Sequence, residues 1–355
     1  MKHLPTHPLV QGLSFLDRRF HAISGLQSFI SATPDMSCPV ASPEMLFPGL
    51  SEFPTEIFTS MVVADLLYKD LFKSKNMDYY VDNLSECLHE GLFHFFLEKA
   101  LLPADVDCTA VGLSLLYETG RIDSSLVHQA VDKMLENTDE AGVIKVYFPP
   151  CGHRQYVDPV VCVNAMYLFA LVGRENEARS SSDFVHHFIS SGEYLKGTRY
   201  YPSPDVFLYF LFRFVERFQF ADQSFEDLLR QRLCDRFGTT RSPLDLAIRV
   251  MLAGKMVIDN DGELEQLLAA QGSDGAWPAD LFFSFGKRRG FFGCRELTTA
   301  FAAKALAASP ALTPATFATD PLRQDETSED VMLPLPIAAD ADNASEPKSP
   351  SRRAA

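Results

Sequence analysis

Six stretches of the chain open on a Pro-, Asp-, Ser- or Glu-marked start and run on as almost unbroken apolar sequence. They begin at Phe53 (FPTEIFTSMVVADLLYK), Ala104 (ADVDCTAVGLSLLYETG), Val157 (VDPVVCVNAMYLFALVGR), Ser203 (SPDVFLYFLFRFVERF), Ser242 (SPLDLAIRVMLAGKM) and Arg295 (RELTTAFAAKALAAS). A capping residue followed by Pro at the first helical position marks a helix start, so each stretch predicts a helix. Amphipathic helices are predicted between them: around Val81–Leu101, Ser124–Asn137, Ala178–Ser190, Ser224–Phe237 and Gly262–Ala270, with a further one ahead of the set at Leu9–Ile30. No strand-like alternation is visible.

The apolar helices recur roughly every 40–55 residues, the period of stacked or ringed helical hairpins. A helix apolar on nearly all sides belongs to an inner wall, and its amphipathic neighbour to an outer one. Six such pairs close into a single all-α, α/α (6-6) barrel over residues 1–308. From Ser309 the chain turns to Pro, Ala, Ser and acidic residues without helical or strand period, and residues 309–355 read as a disordered tail.

If the hairpins repeat, every inner helix runs the same way, and their N-termini gather on one rim. Glu56, Asp105, Asp107, Asp158, Asp205, Asp245 and Glu296 would then form an acidic ring there. Acidic residues at helix starts are also ordinary caps, worth roughly 0.3–2 kcal/mol each, so the ring alone does not separate chemistry from capping.

Composition narrows the classes. The formal charge is −15, from 32 Lys and Arg against 47 Asp and Glu, and no basic stripe occurs, which argues against nucleic-acid binding. Seven scattered cysteines without CxxC spacing read as reduced thiols in a cytoplasmic protein. No signal peptide and no spanning helix is expected, since the longest uncharged run, Pro159 to Gly173, falls short of the about 20 residues a span needs. The unusual entry is aromatic: 29 Phe and 11 Tyr against a single Trp exceed what a routine core requires.

The densest chemistry is Asp105-Val106-Asp107-Cys108-Thr109-Ala110, at the start of an inner helix. Burial and a like neighbour both raise a carboxyl pKa, while a helix N-terminus lowers it, so the sign of the net shift stays open here. A protonated carboxyl in a dry site can protonate a base as poor as an alkene or an epoxide.

This segment resembles the initiating-acid motif of the class II terpene cyclases, between the DxDD form of squalene–hopene and diterpene cyclases and the D-C-T-A form of oxidosqualene cyclases. The resemblance implies Asp107 as proton donor, with Asp105 and Cys108 holding it. Gln271-Gly272-Ser273-Asp274-Gly275-Ala276-Trp277 resembles the family's Q-x(2–5)-G-x-W signature, in which Gln caps and Trp stacks to stiffen the barrel. The pattern covers about Phe53 to Ser309. It departs from the family in having one signature copy, room for one barrel rather than two, and Cys where DxDD has its last Asp. No DDxxD run occurs, so magnesium-assisted diphosphate ionisation is not supported.

The implied function is an acid-initiated cyclase or isomerase of a polyprenyl chain or prenylated small molecule, without cofactor or metal. Ring faces attract carbocations by roughly 0.5–2 kcal/mol each. Tyr147, Phe148, Tyr156, Tyr167, Phe207, Tyr209, Tyr200, Tyr201 and Trp277 are the candidate rings, with His153 a proton acceptor and Arg154 an anion contact. The Phe-rich, cationic stretch Asp280–Phe292 could dock on a membrane or gate a channel, and self-association is left open. Two other readings stand: a non-catalytic barrel that binds an apolar ligand or partner, and a metal-dependent prenyltransferase. The second is disfavoured because Asp107 and Cys108 are adjacent and the last two inner helices lack His.

Overall fold

The computed structural model describes residues 7–20, 29–30, 49–52, 54–69, 71, 75–150, 156–218, 223–285, 290–309 and 312. The six apolar stretches are helices: α2 (Phe58–Leu67), α4 (Val106–Glu118), α6 (Pro159–Leu171), α8 (Pro204–Phe218), α10 (Pro243–Lys255) and α12 (Arg295–Ala308). Each packs on the next, and α12 returns to α2, so they form a closed inner ring. Their starts are fixed by side chains. Asp105 accepts from the Cys108 amide, Asp158 from that of Val160, and Ser242 from that of Asp245.

The outer layer comprises α3 (Lys75–Glu86), α5 (Ser124–Glu136), α7 (Arg179–Ser190), α9 (Gln223–Arg236) and α11 (Asp261–Ala269). The sixth outer place is filled from the other end of the chain by α1 (Pro8–Phe20), which packs on α12. The signature near the C-terminal end makes that closure. Trp277 is fully buried, donates its indole N–H to the Leu267 carbonyl (2.7 Å), and donates its backbone amide N–H to the Thr299 hydroxyl oxygen (3.0 Å). Gln271 donates to the carbonyls of Pro8 (2.9 Å) and Gly275 (2.8 Å), tying α1 to the turn. Gly275 sits at φ +92° with the Gln11 carbonyl oxygen 2.6 Å from where a Cβ would stand, so only glycine fits there.

Two expectations are corrected. The helix expected over Val81–Leu101 ends at Glu86, because Glu90 (φ +50°) and Gly91 (φ +78°) turn the chain out of the right-handed region. Residues beyond the turn instead make isolated bridges, His94 to Ala104 and Glu56 to Phe96, that bind the starts of α2 and α4 together. Strands do occur: β1 (Phe29–Ile30), β2 (Phe283–Phe285) and β3 (Gly290–Phe292) form an antiparallel sheet in the order β1-β3-β2. The tail read from residue 309 lies outside the described residues except for Ser309 and Leu312.

Candidate active site

The acidic rim exists, and every member is buried. Most members are used by the fold. Glu56 caps Thr59 (2.9 Å), Asp105 caps Cys108 (2.7 Å) and Asp158 caps Val160 (3.0 Å). Asp205 pairs with Arg236 and Arg249, Glu296 pairs with Arg19, and Asp245 accepts from the Ser203 hydroxyl (2.5 Å). Asp107 differs: its carboxyl is held by two neutral side chains from other elements, with no cation paired to it among the described residues. Asn164, on α6, donates to Oδ1 at 2.7 Å, and the Tyr201 hydroxyl, just ahead of α8, donates to Oδ2.

That geometry follows from the helix start. With Asp105 as the cap, its carboxyl folds back onto the first turn, and Asp107 two positions on is turned to the barrel axis. Asp105 and Cys108 were expected to hold Asp107. Instead Asp105 bonds the Cys108 amide, and Asn164 and Tyr201 hold the acid. Gly112, one turn further along α4, admits the Phe93 ring, which would lie 2.7 Å from a Cβ.

Electrostatics raise the Asp107 pKa far enough that the protonated acid is populated near neutral pH. Burial is the largest influence, the Tyr201 and Asn164 hydrogen bonds pull the other way, and the Asp105 charge adds to the rise, leaving its pKa at about 7. Burial likewise lifts Asp105 to about 7, against its hydrogen bonds from Cys108. Tyr201 is pushed well above the ordinary phenol range by burial and by Asp107, so it stays a donor.

The hollow facing Asp107 is walled by Phe58, Phe95, Tyr147, Tyr200, Tyr201 and Phe283. Backbone pairing sets the walls. Val106 donates to the Val146 carbonyl (2.8 Å) and Phe148 to that of Ala104 (3.0 Å), which brings Tyr147 beside Asp105. Strand β2 closes the mouth: the Ser284 amide donates to the Tyr200 carbonyl (2.6 Å), and its hydroxyl to that of Arg199 (3.0 Å).

The hollow holds only about 50 Å³ of water-accessible space, against the several hundred Å³ expected of a ligand-sized cavity. The difference is aromatic filling. Phe58, Tyr201, Phe210 and Phe282 meet one another at ring-centroid distances of 5.7–6.5 Å across the axis.

Of the residues singled out in the sequence, Asp105, Asp107, Cys108, Tyr147, Tyr200 and Tyr201 converge on this hollow. Phe148 is buried beside them, and Tyr156 lies under the Arg199 guanidinium, 4.0 Å from ring centre to carbon. Others sit elsewhere. Tyr167 and Tyr209 line a different cavity at the far end of the barrel. Phe207 packs outward against Phe188 and Tyr194, and Trp277 stands in the seam between α1 and α12. His153 and Arg154 lie outside the described residues, as do Lys287, Arg288 and Arg289 of the stretch read as a membrane or gating loop. Asn164, Phe58, Phe95 and Phe283 were missed. The signal for Asn164 was available: it is the lone amide in the apolar run of α6.

Comparisons with known proteins bear on the fold and on the segment that carries the motif. Residues 55–172, which hold α2, α4, α6 and the Asp107 motif, match the family model of the sesquiterpene cyclase astC-like C-terminal domain. Over this segment the chain is similar to that sesquiterpene cyclase family. It is 32% identical to drimenol cyclase from Aspergillus calidoustus over 213 residues, 59% of this chain. It spans 39% of that relative's length. Among solved structures, a protein from Actinoplanes superposes with a TM-score of 0.60 at 12% identity, covering 85% of this chain and 98% of its own. A variant of the type II terpene cyclase MstE from Scytonema, in complex with geranylgeranyl dihydroxybenzoate, gives 0.59 at 14% identity, with 85% and 98% covered. At these identities the structures bear on the fold alone. Among the described residues no helix is long and apolar enough to cross a membrane.

Proposed function

We propose that this barrel carries out an acid-initiated, class II-type cyclisation or isomerisation of a polyprenyl chain or prenylated small molecule, with Asp107 as the proton donor. The observation that carries the reading is the rim comparison. Six of seven buried carboxyls are taken up by caps, ion pairs or a neighbouring hydroxyl; of the two that reach the ring-lined hollow, Asp105 serves as a helix cap and Asp107 is held between an amide and a phenol.

The step balances simply. The Asp107 O–H bond breaks, a C–H bond forms at the CH carbon of the terminal (CH3)2C=CH alkene, and a tertiary carbocation remains on the dimethyl-bearing carbon. An epoxide would accept the proton on oxygen instead. The next alkene attacks the cation to close a ring, and loss of a proton or capture of water ends the cascade. Asn164 and Tyr201 stabilise the carboxylate left behind, each by a charge-assisted hydrogen bond. The faces of Phe58, Tyr201 and Phe283 stabilise the cation. The 32% identity to a drimenol cyclase supports the choice of a prenyl substrate.

Turnover in deuterium oxide tests the reading. The enzyme is offered prenyl diphosphates of two to four isoprene units, and the product is examined by mass spectrometry and NMR. One deuterium should appear in the ring methylene next to the gem-dimethyl carbon. A cyclised product without that deuterium excludes protonation as the initiating step, and recovery of unchanged prenyl compound bound to the protein favours a non-catalytic carrier.

The donors to Asp107 should tune it. Removing the Tyr201 hydroxyl (Tyr201→Phe) takes away a charge-assisted bond worth about 1.5–3 kcal/mol. We expect kcat to fall by one to two orders of magnitude. Activity needs the protonated acid, so the rate falls as pH rises through the Asp107 pKa of about 7. Loss of a bond that favours the anion moves that limb to higher pH in Tyr201→Phe. A purely structural role for Tyr201 would leave the limb in place.

A further inference from the structure

The two side chains that hold Asp107 are mounted differently. Asn164 stands within α6, where the helix fixes its position. Tyr201 stands on the turn ahead of α8, and a phenol carried by a turn is placed only as firmly as the turn itself.

Residues 198–201 close on themselves. The Thr198 amide donates to the Tyr201 carbonyl (2.7 Å), and the Thr198 hydroxyl oxygen accepts from the amides of Tyr200 (3.2 Å) and Tyr201 (3.0 Å). Thr198 therefore grips both the amide and the carbonyl of the residue that carries the phenol. Threonine often caps a turn in this way and does nothing more. Here the contacts continue on both sides. A hydroxyl oxygen that accepts two amides has its lone pairs filled, and its own proton is left for another acceptor. Asp158 takes that part: burial lifts its carboxyl to about 6, and the Thr198 hydroxyl and the Tyr200 amide pull it back toward the anion. Asp158 is the cap of α6, so the turn presenting one donor to Asp107 is tied to the helix presenting the other. Across the turn, Ser284 of β2 donates to the carbonyls of Arg199 and Tyr200.

We propose that Thr198 is a positioning residue: by anchoring the Tyr200 and Tyr201 amides at the Asp158 end of α6, it sets the Tyr201 phenol on Asp107. The proposal deepens the reading of Asp107 as proton donor and rests on it. The titratable groups that face Asp107 and Tyr201 are Asp105 and Cys108 on α4 and Asp158 at the start of α6. Loss of the Thr198 hydroxyl leaves the first two in place. It also favours neutral Asp158, which acts to lower the Asp107 pKa. A rise in that pKa thus reports the displaced phenol.

Infrared titration of the full chain, with Asp107→Asn subtracted to isolate the Asp107 carboxyl band, reads the effect. In Thr198→Val the pH at which Asp107 loses its proton should rise by about one pH unit, the size expected when one charge-assisted bond is weakened. Tyr201→Phe should raise it at least as far. Thr198→Val placed on Tyr201→Phe should then raise it no further, because no phenol is left to position. Thr198→Ser keeps the hydroxyl and should restore the wild-type value. Thermal melting checks folding, and Thr198→Ala replaces the valine variant if that one does not fold. In turnover, the high-pH limb should move with the infrared value. Three results would each overturn the positioning role: no rise in Thr198→Val or Tyr201→Phe, an equal rise with and without the phenol, or a serine variant that behaves like valine. Asp107→Asn decides the acid separately. Its loss of turnover keeps the acid assignment even where Thr198 fails, and normal turnover removes that assignment even where the infrared shifts appear.

Discussion

Asp107→Asn should abolish cyclisation while leaving the barrel folded. General acids typically contribute 10²–10⁴-fold, so we expect a loss of at least about 10²-fold in kcat, with Asp105, the other carboxyl at the hollow, the source of any residual turnover. Asparagine keeps the shape and can still accept from Asn164 or Tyr201, so packing is preserved. It also removes a buried carboxyl whose pKa burial has raised to about 7, a group that costs free energy whenever it ionises. The variant should therefore melt no lower than wild type at pH 7.5. Asp107→Asn is more informative than Asp107→Ala, which would leave the Tyr201 and Asn164 donors buried without an acceptor and confound activity with stability. Product yield by gas chromatography and thermal melting, measured on the same preparation, separate the two effects. Turnover within tenfold of wild type would remove Asp107 from the mechanism.

The barrel was legible because its determinants are local and periodic. Cap residues, Pro at the first helical turn and runs such as Val160–Met166 specify inner helices without reference to the rest of the chain. The Asp107 motif was legible for the same reason, since residues three apart at a helix start share one turn. What escaped notice was long-range. Asn164 and Tyr201 stand 57 and 94 residues from the carboxyl they hold, and no spacing rule relates them. The short strands were invisible because sequences such as Phe282-Phe283-Ser284-Phe285 lack alternation, and their pairing is decided by the rim they cover. Aromatic clustering was readable, but its direction was not. On α8 the sequence offers Phe207, Tyr209 and Phe210 within one turn, and three different surroundings receive them: the outer layer, the far-end cavity and the axis.

Arg249→Met should destabilise the fold by about 3–5 kcal/mol, the usual cost of breaking a buried ion pair by removing one partner. Arg249 is fully buried on α10. It donates to Asp205 at the start of α8 (2.9 Å), to Glu263 on α11 (2.8 Å), and to the Thr240 carbonyl (2.9 Å), so one side chain ties two inner helices to the outer layer. The losses are unequal. Asp205 keeps two bonds from Arg236, at 3.0 and 2.8 Å, so its charge stays compensated. Glu263 keeps only neutral donors, the Gly238 amide (2.8 Å) and the Asn260 side chain (2.9 Å). The penalty therefore falls on Glu263, and it can be relieved there. Replacing both partners (Arg249→Met with Glu263→Met) removes the stranded charge and should recover more than half of the lost stability, since an apolar pair of similar volume commonly matches a buried salt bridge. Urea denaturation of the two single variants and the double variant completes the cycle. Additive losses in the double variant would mean that Glu263 does not depend on Arg249, and that the stability of this corner comes from packing alone.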